Sequence, residues 1–200
     1  MRFVDDTGED RGHQVNIHGF ARELRLKIGA TKLTRRFEKE KDFEKSVLVE
    51  SAWKLSRAHP EIHVFTHPWG RKAECKPTCQ AAERFSDRVE GCKECWTSSK
   101  EFSVAQAFGM RHNFDLTARD RSGRRLVVEV KWLQLKTNRS PNGEFQRFIG
   151  QCTLAAAAND VVIGVCGLWG QRVKKLETHE RAIEKILRTM SVHLIVLREA

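Results

Sequence analysis

Residues 113–132 read NFDLTARDRSGRRLVVEVKW, which predicts two β-strands joined by a tight Ser-Gly turn. In the second strand apolar and charged residues alternate, so Glu129 and Lys131 lie on one face. Buried charge costs free energy unless it is paired or bound to a metal, so packing alone does not explain these two residues. Asp115, near the start of the preceding strand, supplies a second carboxylate. The hairpin therefore predicts a site where Asp115 and Glu129 share one divalent cation beside Lys131.

Such a site suits the hydrolysis of a phosphodiester, which needs a nucleophile at an anionic centre and stabilisation of the charge that builds there. Magnesium prefers oxygen ligands and keeps several waters, so one or two carboxylates and a substrate phosphate are enough. Metal binding lowers the pKa of a coordinated water, and the Lys131 ammonium can orient that water or offset phosphate charge. The alternative interpretation is a structural ion pair at the end of a sheet beside an unrelated turn aspartate.

The segments around the hairpin follow an alternating order of helices and strands. Apolar residues recur at steps of three and four in the helical segments and at steps of two in the strands. The predicted elements are a helix from residue 34, a strand at 61–66, the hairpin, a helix at 144–158, a strand at 160–168, a helix at 172–189 and a strand at 192–198. Residues 1–33 are polar and lack a clear period, so we expect a loose or peripherally packed N-terminal arm.

The hairpin also carries a family resemblance. Asp115, followed after a strand-turn-strand interval by Glu129, Val130 and Lys131, resembles the D…ExK signature of the PD-(D/E)XK, or restriction-endonuclease-like, nuclease superfamily. The proline that names the motif is absent, and Phe114 occupies its place. Every other side chain that the motif requires is present. The resemblance therefore implies an active, Mg²⁺- or Mn²⁺-dependent deoxyribonuclease, either an endonuclease or a structure-specific nuclease.

This resemblance also implies a fold. An α/β domain is expected, with a restriction-endonuclease-like αβββαβ core whose central mixed sheet is flanked by helices. The core extends over residues 34–168, and the nuclease domain over residues 34–200, with an insertion at 67–110. In that order Asp115 lies on the second core strand, and Glu129 lies on the third.

Further site residues follow from the same resemblance. It adds the backbone carbonyl of Val130 to the ligands of the cation. A first-helix glutamate often joins the metal site in this family, which nominates Glu50. Several branches place a glutamine on the helix after the motif, which nominates Gln151, with Gln146 as the second choice. Ordinary solvated surface positions are the alternative for Glu50 and both glutamines.

Four cysteines lie in the insertion, as Cys75-x3-Cys79 and Cys92-x2-Cys95. Two such pairs supply four thiolates for tetrahedral zinc, and a closed four-thiolate set is typical of a structural site. The insertion is therefore predicted to be a zinc-binding subdomain, with an iron–sulfur cluster as the alternative. Cys152 and Cys166 lie on apolar faces and are predicted to be small core residues.

Composition limits the partners. Lys and Arg number 36 against 26 Asp and Glu, a net charge of +10 that favours a polyanion such as DNA, or alternatively RNA. No apolar run approaches the ~20 residues of a spanning helix, and no signal peptide is evident, so we expect a cytoplasmic protein without a membrane partner. Tyrosine is absent, which excludes a tyrosine nucleophile. A homodimer, a non-catalytic zinc-containing nucleic-acid-binding subunit and an RNA-directed nuclease of the same fold remain alternatives.

Overall fold

The computed structural model describes residues 15–66, 72–73, 89–90, 105–107, 110–112, 114–134, 142–170 and 177–198. In chain order the elements are α1 (Ile17–Gly29), α2 (Glu40–Glu44), a π-helical turn (Lys45–Val49), α3 (Glu50–Ala58), β1 (His63–Thr66), β2 (Lys72–Ala73), β3 (Val89–Glu90), β4 (Ala105–Ala107), β5 (Met110–His112), β6 (Leu116–Arg119), β7 (Arg125–Gln134), α4 (Asn142–Ala156), β8 (Val161–Trp169), α5 (Glu177–Thr189) and β9 (Val192–Arg198). The predicted α/β class is confirmed. None of the described helices combines the length and apolar character that a membrane span requires.

Five strands form the main sheet in the order β1-β6-β7-β8-β9. The pairs β1/β6 and β6/β7 are antiparallel, whereas β7/β8 and β8/β9 are parallel, so the sheet is mixed as expected. Pairing between β6 and β7 ends where Leu116 meets Val128, but β8 accompanies β7 as far as Gln134. The second half of β7 therefore extends past the end of β6. The pairs β2/β3 and β4/β5 form separate two-stranded sheets.

Helices cover both faces of the main sheet, as the family resemblance implies. Val128, Val130 and Trp132 belong to the core cluster that includes the buried residues of α1, α2 and α3. Val127 and Leu133 belong to the opposite cluster, with the buried residues of α4 and α5. Because side chains alternate along a strand, Glu129 and Lys131 extend from the α4 side of β7.

The expectation of a loose N-terminal arm is wrong for residues 15–33; residues 1–14 lie outside the described part of the chain. Asn16 caps α1 by accepting a hydrogen bond from the Gly19 N–H at 3.0 Å. One stripe of α1 lies fully in the core, at the spacing of an amphipathic helix: Ile17, Phe20, Leu24 and Ile28. Charged residues between these positions obscured that spacing in the sequence.

Asp120 joins α1 to the hairpin turn. Its Oδ2 accepts from the Ile17 N–H at 3.1 Å, and its Oδ1 accepts from the Ser122 N–H at 2.9 Å and the Arg124 N–H at 3.1 Å. Burial favours a higher pKa, but the hydrogen bonds to Ser122, Ile17 and Arg124 outweigh it and lower the pKa of Asp120. Gly123 completes the turn with a φ of 84°, a conformation that glycine adopts without strain.

The helix predicted from residue 34 begins at Glu40, because Lys39 has an extended backbone with φ −125° and ψ 146°. The segment before it binds the end of β7 instead of continuing the helix. The Phe37 carbonyl accepts from Trp132 Nε1 at 2.9 Å and from Gln134 Nε2 at 3.0 Å. These two bonds hold the approach to α2 against the sheet.

Candidate active site

The site lies where β6 begins beside β7. Asp115 immediately precedes β6, and its Oδ2 accepts a hydrogen bond from the Val130 N–H at 2.7 Å. In a strand the N–H and C=O of one residue point to the same side, so the Val130 carbonyl also opens toward Asp115. Glu129, the residue before Val130, is 97% buried, since only 3% of its surface is exposed. The sequence-predicted residues Asp115, Glu129 and Val130 are thus brought together.

Electrostatics supports the proximity of the two carboxyl groups. Burial raises the pKa of Asp115 well above its usual value, and the negative charge of Glu129 is the next largest cause. The charge of Glu40 acts in the same direction. The hydrogen bond from Val130 and the charge of Lys131 oppose the rise in the Asp115 pKa. Three carboxylates and one ammonium therefore share this end of β7.

Lys131 follows Val130 in β7, and its side chain lies near the Asp115 and Glu129 carboxyl groups. Its Nζ lies 2.9 Å from Glu40 Oε2, and both side chains keep some contact with solvent. The same Glu40 oxygen accepts from the Trp132 N–H at 3.0 Å. Glu40 was not among the residues nominated from the sequence. Its signal was its position three residues before the buried Phe43, on the same side of one helical turn.

Glu50, the sequence-nominated helix glutamate, is exposed at the start of α3. It lines a surface groove with Arg35, Asp42 and Lys45. Phe43 and Glu50 are seven residues apart, or two α-helical turns, which predicts a shared edge. The π-helical turn between them is wider and changes that phase. Glu40, rather than Glu50, is the helix glutamate whose charge acts on Asp115.

Helix α4 covers the Glu129 side of the sheet. Its buried line is centred on Phe148, Cys152 and Ala155, whereas Phe145, Ile149 and Ala156 are only partly buried. Burial and then the charge of Glu129 raise the pKa of the Cys152 thiol, which places this helix beside the site. Gln151 precedes Cys152 in α4.

Gln151 is half-buried, whereas Gln146 is exposed. In an α-helix, Gln151 lies on the same side as Phe148 and Ala155, three residues before it and four after it, and both are buried. Gly164 on β8 pairs in register with Glu129, and a Cβ there would lie 3.0 Å from both Cys152 Sγ and the Phe148 ring. The absence of a side chain at Gly164 lets α4 approach the sheet closely next to Glu129.

The donor set at this site suits a hard divalent cation. Two carboxylates, from Asp115 and Glu129, and the Val130 carbonyl are oxygen ligands of the kind that magnesium and manganese bind. Among the described residues, no group of three or more His, Cys, Asp or Glu side chains has a metal-binding arrangement. A magnesium site needs only one or two carboxylates, because waters and a substrate phosphate complete it. The two carboxylates and the Val130 carbonyl are therefore enough protein ligands for a magnesium or manganese ion.

The four insertion cysteines, Cys75, Cys79, Cys92 and Cys95, lie outside the described residues. The other two cysteines, Cys152 and Cys166, are buried in the core, as predicted. The zinc and iron–sulfur interpretations of the insertion thus stay predictions.

Comparison with known proteins adds no relative: no family model, no curated protein and no solved structure matches the chain.

Proposed function

We propose that this chain is a metal-dependent nuclease of the restriction-endonuclease-like type, which hydrolyses phosphodiester bonds in DNA. The observation that supports this function best is the meeting of Asp115 and Glu129 at the start of β6, with the Lys131 ammonium in the same half of β7. A structural ion pair explains this arrangement less well. Burying two mutually repelling carboxylates is unfavourable, and proteins accept that cost mainly at functional sites.

Each residue has a distinct role in this proposal. Asp115, Glu129 and the Val130 carbonyl would hold Mg²⁺ or Mn²⁺. The bound ion would polarise the phosphoryl group and lower the pKa of the attacking water. Lys131 places a compact positive charge beside the carboxylates, where it can contact the scissile phosphate or the attacking water. Gln151 on α4 is proposed to border the substrate, and a role for Glu50, at the start of α3, stays a prediction.

The basic surface supports a nucleic-acid substrate. The chain carries a net charge of +10. Arg121, Arg124 and Arg125 are exposed at the β6–β7 turn, where they can contact phosphates without reading the base sequence. DNA binding should therefore weaken steeply as salt rises. RNA offers the same phosphates, so it is the substrate class that the assay must separate from DNA.

The nuclease proposal predicts cleavage that depends on a divalent cation. Plasmid, linear duplex, branched DNA and single-stranded RNA should be incubated with purified protein and Mg²⁺, Mn²⁺ or EDTA. We expect products from at least one DNA substrate with Mg²⁺ or Mn²⁺, none with EDTA, and a large loss of cleavage in Lys131→Ala.

Two results would contradict the proposal. Binding without cleavage on every substrate and with either cation would favour a non-catalytic nucleic-acid-binding subunit. Cleavage of RNA alone would favour the RNA-directed alternative.

We also propose that the insertion holds a structural zinc ion through Cys75, Cys79, Cys92 and Cys95. Four thiolates stay reduced in the cytoplasm, the expected location of this chain, and two closely spaced pairs suit tetrahedral zinc. X-ray fluorescence of the purified protein should detect about one zinc per chain, a ratio expected of a closed four-thiolate site. Cys75→Ser with Cys92→Ser should remove it. A brown protein containing iron would contradict zinc.

A further inference from the structure

One carboxylate oxygen of Glu40 contacts both the Trp132 backbone N–H and the Lys131 ammonium. Glu40 Oε2 lies 3.0 Å from the Trp132 N–H and 2.9 Å from Lys131 Nζ. Trp132 is 6% exposed and belongs to β7, which is paired with β8 at this position, so its N–H is a rigid anchor. A carboxylate held by that anchor constrains the end of the lysine side chain.

Helix α2, which carries Glu40, is itself fixed on the sheet. The Phe43 ring packs on Trp132 with a centroid distance of 4.9 Å. Gly167 on β8 pairs in register with Trp132 and has no side chain, and this leaves the space that the Phe43 and Trp132 rings occupy. Trp132 Nε1 also donates to the Phe37 carbonyl just before the helix. Glu40 therefore has little freedom to move relative to β7.

We propose that Glu40 is a positioning residue, which holds the Lys131 ammonium in place for catalysis; this inference rests on the proposed nuclease function. A lysine has a long flexible stem, and a misplaced catalytic group loses much of its effect on rate. The carboxylate of Glu40 restricts that stem on the side of β7 where Asp115 lies. Glu40 acts through Lys131 and is not a ligand of the cation.

A double-mutant cycle tests this role. Glu40→Gln keeps an acceptor for the Trp132 N–H but removes the charge that holds Lys131. We expect it to lower kcat by about 10- to 100-fold with little change in KM. In a Lys131→Gln background the same change should lower kcat by less than about threefold, because the partner is already lost. Glu38→Gln, an exposed glutamate two residues away, is the matched control and should retain full activity.

Thermal unfolding with and without Mn²⁺ supplies a second measurement. Glu40→Gln should keep the rise in Tm caused by Mn²⁺, because Asp115 and Glu129 remain. Loss of that rise would make Glu40 a cation ligand and overturn the inference, as would equal losses of kcat in both backgrounds. If Glu40→Gln does not fold, Glu40→Asp replaces it and must show the same non-additivity.

Different results test the nuclease function and the role of Glu40. An Asp115→Asn variant that still cleaves DNA would reject the nuclease proposal, whatever the activity of Glu40→Gln. An inactive Asp115→Asn variant combined with additive effects at Glu40 and Lys131 would leave the nuclease function standing and reject only the positioning role.

Discussion

Replacement of Asp115 by asparagine is expected to abolish cleavage and to raise the free energy of unfolding. Asparagine keeps an oxygen that can accept from the Val130 N–H, so the strand contact survives. The lost carboxylate removes a cation ligand worth several kcal/mol in the transition state, which corresponds to about a 10³-fold or larger loss of rate. A gain in stability accompanies the loss of rate, because the charge of Asp115 is both buried and repelled by Glu129.

The pH dependence of the stability follows from the raised pKa of Asp115. Because the folded state binds this proton more tightly than the unfolded state, protonation favours folding. Stability from this group is fully present below the unfolded pKa, and it is lost as pH rises from that value through the higher folded pKa. At neutral pH we expect Asp115→Asn to be more stable than the wild type by roughly 1–2 kcal/mol. The difference should shrink below about pH 4.

Urea unfolding between pH 3 and pH 8, in EDTA, measures this difference. Asp160→Asn is a matched control, because Asp160 Oδ2 accepts from the Arg125 N–H at 2.8 Å at the opposite end of β7. Its side chain is exposed, so neither the activity nor the neutral-pH stability should rise or fall substantially. Adding Mn²⁺ should stabilise the wild type but not Asp115→Asn. A destabilised or fully active Asp115→Asn variant would contradict this account of the site.

Gly167→Ala is expected to cause the largest loss of stability among small substitutions in the sheet. A Cβ at this position would lie 2.5 Å from the Phe43 ring and 2.6 Å from the Trp132 ring, well inside contact distance. Both rings are buried, so neither can move without disturbing the core. Overpacking of this kind costs about 1–3 kcal/mol. Displacement of Phe43 would also shift α2, so kcat should fall in the folded variant.

Denaturant unfolding with an activity assay on the folded fraction measures both effects. Gly150→Ala on α4 is the matched control, because the added Cβ would meet nothing within 4 Å beyond its chain neighbours and the adjacent backbone of its own helix. Alanine there should stabilise the protein by about 0.5–1 kcal/mol without changing kcat. If Gly167→Ala were as stable as the wild type, α2 would not be fixed on the sheet, and the rigid placement of Glu40 would lose its support.

The features that the sequence predicted correctly depend on residues close together in the chain. The alternation in β7 placed Glu129 and Lys131 on one face, because a strand has a period of two whatever packs on it. The short turn with Gly123 made the hairpin, and so brought Asp115 back beside Glu129. The helix predicted at 144–158 is also present, as α4 (Asn142–Ala156).

Features that depend on contacts between distant segments of the chain were not predicted from the sequence. The stripe of α1 was hidden, because its buried residues are separated by charged ones and its contacts are with residues far along the chain. Glu50 was nominated and Glu40 was not considered, because a uniform helical period places Glu50 on the same edge as Phe43, whereas the π-helical turn changes that period. The role of Gly167 depends on two rings that approach it from distant segments.

The sequence by itself determined the α/β class, the hairpin and the face that carries Glu129 and Lys131, since these follow from periods and turns within a few residues. Only the tertiary structure decided which glutamate reaches Lys131 and how closely α2 approaches β7. Those outcomes depend on a change of helical phase and on the absence of a side chain at Gly167. The choice of glutamate and the distance between α2 and β7 are both set by packing between distant segments, which the pattern of neighbouring residues does not specify.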